Sequence, residues 1–288
     1  MRILLSLLIC VLAGMLLSNL VSGLIWNLAG LDLANILEGE QLAAGERNVF
    51  RIGLLISHLG TFLIPGIIFC LYFLKEPRIS FLQLNHPVKK NQVILWGLTI
   101  LFSYPMIAQL AEWNTAIPLP DWMTASQSDA MALLEQTLKM ESVSEFLISL
   151  FLVGVAAAIG EELIFRGIIQ KILIRHWSNP HLAIIVASLI FGGFHMQFER
   201  LIPLSVLGLI LGYSYYFSKS LWIPIILHFL NNSFQILSIY AVSRNGEMPD
   251  IGNVPDLPIA LVLVSLISTI AFALWASGIS QRSYESRP

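Results

Sequence analysis

Charge is scarce in this 288-residue chain: Asp, Glu, Lys and Arg make up 12% of it, whereas 56% is hydrophobic. That is about half the charged share of an ordinary soluble domain. So little charge does not cover a water-facing surface of this size. Basic patches and tails that could take nucleic acid are missing too, and the formal net charge of −2 by itself says nothing about partners. Cysteine is almost absent. Cys10 and Cys70 both lie in apolar runs, so neither a disulfide framework nor a thiolate metal site is available. Several catalytic signatures are lacking as well: there is no His-Glu-x-x-His zinc helix, no Gly-x-Ser-Gly segment with a partner histidine in another apolar run, and no pair of aspartates inside such runs.

What fills the chain is a series of apolar runs of about 20 residues, each long enough to cross a hydrocarbon core of about 30 Å as a helix. The sequence therefore predicts an all-α polytopic membrane protein, a bundle of about eight transmembrane helices forming a single membrane-embedded domain over residues 1–288. The spans are expected at about 3–29, 51–74, 91–111, 143–168, 182–198, 201–217, 221–242 and 257–279. The first is read as an uncleaved span: its apolar part is too long for a secretory signal, and Gly14 to Asn19 offer no clear cleavage site. Connector 112–142 is expected to hold a short helix from Asp129 to Met140, with Ala130, Leu133, Leu134, Thr137 and Leu138 at helical spacing, either packed or lying on the membrane surface as a lid. An even number of spans leaves both ends on one side. The ends and even-numbered loops carry ten Lys and Arg against five opposite, which places both termini in the cytoplasm and the chain in a cytoplasmic (inner) membrane.

Against this background Glu161, Glu162 and Arg166 stand out, inside an apolar helical segment running from near Val143 to near Arg175. A carboxylate in hydrocarbon costs several kcal/mol unless it faces a polar cavity or a partner. Glu162 and Arg166 are four apart, on one helix face, where they can pair. Glu161 is turned about 100° from Glu162. The fifth span offers Phe191 and His195 at the same spacing, and the seventh offers His228 and Asn232 with Gln235 continuing the stripe. Gly192, Gly193, Gly208 and Gly212 would let helices approach closely. At about 1.5 Å per residue, Glu161 lies about 27 Å from the outer end of its span, and His195, His228 and Asn232 lie about 20, 9 and 15 Å from the inner face. Those depths bring Glu161, Glu162, His195, His228 and Asn232 to the inner half of the bundle.

A glutamate and a histidine bracketing a water form a general-base pair, and a second histidine with an asparagine can donate to a developing oxyanion. That set suits hydrolysis of an amide in a membrane-embedded cleft. The same residues admit other roles. Glu161, His195 and His228 supply three metal ligands if a divalent ion such as zinc is used. Asn232 can be interhelical glue, and buried carboxylates can relay protons in a transporter. His58, His86, His176 and His181 lie in isolation or in loops and are assigned no chemistry.

Glu161-Glu162-x-x-x-Arg166, Phe191-x-x-x-His195 and His228-x-x-x-Asn232, in that order on three apolar helices, resemble the three motifs of the CAAX-protease and bacteriocin-processing (CPBP, Abi) family of intramembrane endopeptidases. The motif-bearing core spans about 145–240, near a third of the chain. The resemblance implies that Glu161 is the general base with His195 as its partner, that His228 and Asn232 stabilise the oxyanion, and that Glu162, Arg166 and Phe191 support the site. It implies a membrane-associated protein or peptide as substrate and the lipid bilayer as surroundings. Members have been described both as metalloproteases and as glutamate-dependent proteases, and the absence of a specific metal-ligand spacing here favours no required cofactor. A catalytically idle member, acting as scaffold or immunity protein, is the alternative.

Overall fold

A computed structural model describes residues 2–243 and 257–285, with Arg2 and the last six as backbone alone. Residues 244–256 of the expected polar loop, the tail after Glu285, and with them Arg244 and Arg287 of the charge count, lie outside the described residues. Among those described, every regular element is helical. The long helices are α1 (Arg2–Leu28), α2 (Ala44–Tyr72), α3 (Lys90–Thr115), α4 (Asp121–Leu138), α5 (Val143–Trp177), α6 (Pro180–Phe194), α7 (Leu201–Ser218), α8 (Trp222–Ser243) and α9 (Ile259–Glu285). Seven helices are long and apolar enough to cross a membrane, and the protein is an all-α polytopic membrane protein.

The eighth expected span is helical but short. α6 has 15 residues, about 22 Å of helix against a core of about 30 Å. It starts where Asn179 accepts a hydrogen bond from Leu182 N at 3.1 Å, with Pro180 in the first turn. It stops four residues before the expected end. The tandem Gly192-Gly193 weakens the last turn by about 1 kcal/mol per glycine, and Met196 takes a left-handed conformation with φ 56°, which ends the helix.

The residues form two compact units, described separately. The first comprises Met1–Arg78, Ser128–Ile164 and Phe229–Ile251. Here α1 lies against α2 at the closeness that small residues permit: a Cβ on Gly14 would stand 2.2 Å from Gly60 O, and one on Gly60 2.2 Å from Ser18 Cβ. Ser22 donates to Gly53 O at 2.7 Å and Trp26 Nε1 to Phe50 O at 3.2 Å, so polar groups on α1 are satisfied without water. α2 begins seven residues earlier than expected. Glu46 accepts from Ala43 N at 2.7 Å at its start, and the arginines of its first turns are neutralised within the fold. Arg47 Nε and Arg51 Nη1 donate to the same Glu145 oxygen at 2.9 and 3.0 Å; Arg47 also pairs with Glu141 at 2.9 Å, and Arg51 donates to Thr137 O at 3.1 Å. Arg47, Arg51 and Glu145 are each at most 2% exposed.

The second unit comprises Ile79–Gln127, Phe165–His228 and Gly252–Pro288. Its core joins α3, α7, the start of α8 and α9 through Leu95, Trp96, Ile100, Leu211, Ile223, Leu227 and Ala276. Pro105 lies inside α3, where a missing N–H and a ring clash open the ladder. Ser265 of α9 fills the gap: its hydroxyl accepts from Met106 N at 3.0 Å and donates to Phe102 O. A side chain thereby re-satisfies backbone groups that hydrocarbon would leave exposed.

α4 starts at Asp121, eight residues before the expected position, because Pro120 offers its carbonyl to Met123 N at 2.9 Å and opens the first turn there. Its apolar residues are packed. In the first unit, Leu133 joins the Trp26–Phe50 core, and Leu134 and Leu138 join Met140 and Ile236. Within the second unit Ser126 donates to Met196 O at 3.2 Å, and Trp122 meets Phe198 edge-on at 5.3 Å.

Candidate active site

α5 carries the acidic motif, and its backbone changes pitch around it. Ser142 caps the start, accepting from Glu145 N at 3.3 Å. Two stretches with wide π-helical turns, Leu150–Ala156 and Leu163–Gln170, flank the α-helical turns Ala157–Glu162. Such turns inside α-helices recur at functional sites, because the extra residue redirects side chains and loosens carbonyls from the ladder. Ala156, Ala157 and Ala158 keep the approach to the glutamates slim. Glu161 is 8% exposed and Glu162 is fully buried.

In the first unit, Asn232 of α8 reaches this helix. Its Nδ2 donates to Val153 O at 2.8 Å, a carbonyl of the first wide stretch. Its Oδ1 accepts from Asn231 Nδ2 at 3.0 Å. The glue role expected as an alternative is therefore realised for one of the two amide N–H groups. Asn231, buried beside it, was not singled out from sequence; the Asn231-Asn232 doublet is the signal that pointed to it. Gln235 is exposed, with Nε2 donating to Asn231 O at 3.4 Å.

In the second unit, the remaining motif residues gather on one ring. Phe191 is 1% exposed. Arg166 lays its guanidinium 4.3 Å above that ring and donates from Nη2 to Gly208 O at 3.1 Å. His195 meets the ring at 4.9 Å and 67°, and His228 at 5.9 Å and 77°. Phe165 adds an edge at 5.2 Å. Arg166, His195 and His228 are thus brought together by Phe191, one of the residues expected to support the site.

The imidazole of His195 also has a defined proton. Its Nδ1 lies 2.9 Å from Phe191 O. A carbonyl only accepts, so Nδ1 carries the hydrogen and the neutral ring presents Nε2 as a lone pair. The helix ends at this point, with His195 N bonded to Gly192 O at 3.3 Å. His195 therefore projects from the cap that ends the helix, rather than from within the last turn of a span reaching 198.

Close approach in this unit follows the predicted glycines in part. A Cβ on Gly208 would meet Ser188 Cβ at 3.0 Å, and one on Gly212 would meet Gln170 Oε1 and Ile184 Cγ2 at 2.8 Å. Gly192 faces Ser205 in the same manner, whereas a Cβ on Gly193 would meet nothing within 4 Å. Gln170, another buried polar residue that spacing had not marked, donates to Gly212 O at 3.0 Å. It repeats one turn later what Arg166 does at Gly208.

Among the described residues, no three His, Cys, Asp or Glu side chains form a group fit to hold a metal ion. Glu161, His195 and His228, the set considered for zinc, do not make one, and no step is derived through a metal.

The all-helical membrane fold thus carries buried glutamates, an oriented imidazole and amide donors within one stretch of sequence. Residues 143–234 match the family described as type II CAAX prenyl endopeptidase, Rce1-like, and this stretch contains every motif residue. A protein of Bacillus subtilis (strain 168), YdiL, provisionally named a membrane peptidase, is 30% identical over 92 residues, which is 32% of this chain and 37% of that relative. Over residues 143–234 the chain is similar to the CAAX protease (Rce1-like) family. The aligned part spans little more than a third of the relative's length. No solved structure matches the chain.

Proposed function

We propose that the protein hydrolyses a peptide bond in a membrane-associated protein or peptide, with Glu161 as general base. The observation that carries this reading is the fixed tautomer of His195, which leaves Nε2 as an acceptor on a ring held by Phe191. On this reading the two sets of residues serve one reaction. His195 Nε2 accepts a hydrogen bond from a water, and the Glu161 carboxylate takes that water's other proton as its oxygen, keeping the first hydrogen, bonds to the carbonyl carbon. The tetrahedral oxyanion accepts hydrogen bonds from His228 and from the second N–H of Asn232. Collapse breaks the C–N bond, and the proton held by Glu161 passes to the leaving amine. Glu162 and Arg166 support the acidic helix, Arg166 through Gly208 O and the Phe191 face.

The charge bias supports a cytoplasmic membrane, with both termini inside and the chemistry near the inner leaflet. The test uses purified protein in proteoliposomes containing a single-span reporter peptide. Glu161→Gln is expected to keep the fold and lower turnover by at least ~10²-fold, the lower range for a lost general base. Turnover near wild type in that variant overturns the assignment.

A further inference from the structure

His58 lies on α2, outside the family-matched segment, and sequence spacing gives it no companion. The fold does. It is the last residue before the wide π-helical stretch Leu59–Leu63 of α2, and in the first unit that stretch packs against the turns Ala157–Glu162. The contact falls on Gly160, the residue immediately before the glutamate pair. A Cβ built on Gly160 would stand 3.2 Å from His58 Nε2, 3.1 Å from Phe62 Cβ and 3.6 Å from Leu63 N. The tip of the imidazole therefore occupies the space that a side chain at residue 160 would need.

Three features separate this ring from ordinary filler. Nε2, its polar end, is the atom turned towards Gly160, and it is closed off from solvent. The ring is braced by Phe62, with centroids 4.7 Å apart and planes 38° from parallel. The ring as a whole is half-buried, but shielding its polar Nε2 is costlier than shielding the edge of a hydrocarbon ring, and the buried Phe62 shows that this layer accepts a phenyl group. A wide turn in α2 thus meets the acidic helix between its own two wide stretches.

We propose that His58 is a positioning residue of the hydrolytic site: its Nε2 edge seats the α5 backbone at Gly160 and so fixes the direction in which Glu161 and Glu162 leave the helix. This inference rests on the proposed reaction and adds a residue from a fourth helix to it. A methyl group at Gly160 would press on the imidazole and on Phe62, so one of them or the helix must give by a few tenths of an ångström.

The experiment compares wild type, Glu161→Gln, His58→Phe, His58→Gln and Gly160→Ala as full-length protein in proteoliposomes. Cleavage of the reporter peptide gives kcat and KM separately, and thermal unfolding in detergent reports the fold. Turnover by Glu161→Gln near wild type refutes the proposed reaction itself and this inference with it. With Glu161→Gln inactive, His58→Phe is expected to lower kcat by ~10- to 100-fold, the scale of a misplacement of about 1 Å at a reacting group, with KM within about twofold. His58→Gln, which returns a polar atom near the place of Nε2, is expected to recover most of that loss. Equal kcat for the Phe and Gln variants, whether high or low, overturns the inference, because ring shape or bulk alone would then account for the site. Should His58→Phe not fold, Gly160→Ala decides: a kcat reduced by ~10-fold or more supports the positioning role, and a wild-type kcat overturns it.

Discussion

Phe191→Leu isolates the part of the site that the structure describes most fully. Leucine keeps an apolar side chain at a position that is 1% exposed, but removes the aromatic face. Four contacts depend on that face: Arg166 at 4.3 Å, Phe165 at 5.2 Å, His195 at 4.9 Å and His228 at 5.9 Å. At roughly 0.5–1 kcal/mol for each ring pair and for the cation–π contact, the loss is about 2–4 kcal/mol beyond the change in buried area. The natural control is Phe194→Leu, three residues on, with the ring 38% exposed and edge-on to Phe165 at 5.9 Å; there the loss is expected to stay within about 1 kcal/mol. Stability is read by thermal unfolding in one fixed detergent, so that only the difference between variants is interpreted. Activity follows separately. The Nδ1 bond of His195 goes to a backbone carbonyl and survives the substitution, so the tautomer is kept while the ring loses its side support. Turnover is expected to fall by ~10- to 100-fold. If Phe191→Leu matches Phe194→Leu in both stability and turnover, Phe191 is not the organising ring, and the grouping of Arg166, His195 and His228 around it carries no energy.

Two further substitutions test how charge and an open helix turn are accommodated inside the fold. Glu145→Gln leaves Arg47 and Arg51 buried without their shared anion and is expected to destabilise by ~3–5 kcal/mol. The same change at Glu141, whose side chain is 59% exposed, is expected to cost at most ~1 kcal/mol, and similar unfolding midpoints for the two variants would contradict this account. Ser265→Ala strands Met106 N beside Pro105 and is expected to cost ~1–3 kcal/mol. Adding Pro105→Ala lets Met106 N return to Phe102 O within α3, so the double variant is expected to recover stability; an additive double variant would show that Ser265 does not bridge the gap.

The helices were legible in the sequence because hydrocarbon imposes a length, and eight runs of suitable composition all fold as helices. Their ends were less so, for identifiable reasons. Arg47 read as a loop residue and Arg51 as the first residue of a span, since a charge lowers the apolarity of any window that contains it, whereas their partner Glu145 lies almost a hundred residues on. Spacing along one helix cannot name a partner on another. α6 ends early through a backbone event, the left-handed Met196, that methionine does not announce. The start of α4 was masked because its first turns carry Trp122, Thr124 and Ser126, which show no apolar stripe.

At the site, spacing found the residues but not what orients them. Phe191 and His195 were paired as neighbours on a face; that the carbonyl of one fixes the proton of the other is a property of the helix end, where the ring folds back on its own turn. Asn232 was weighed as an oxyanion donor or as glue, and its amide has enough hydrogens for both, one of them already given to Val153 O. The wide turns are the deepest omission. A period of 3.6 residues assumes α geometry, and an extra residue per turn leaves no mark in composition, so the wide turns Leu150–Ala156 and Leu163–Gln170 could not be read from spacing. Counting pairs Arg166 with Glu162 and names no partner on another helix; in the second unit it is also held by the Gly208 carbonyl and the face of Phe191, both from other helices. The arginine of this motif is thereby tied to the ring that supports both histidines. Its loss is expected to disturb His195 and His228 through Phe191, whatever it also contributes to the carboxylate beside it.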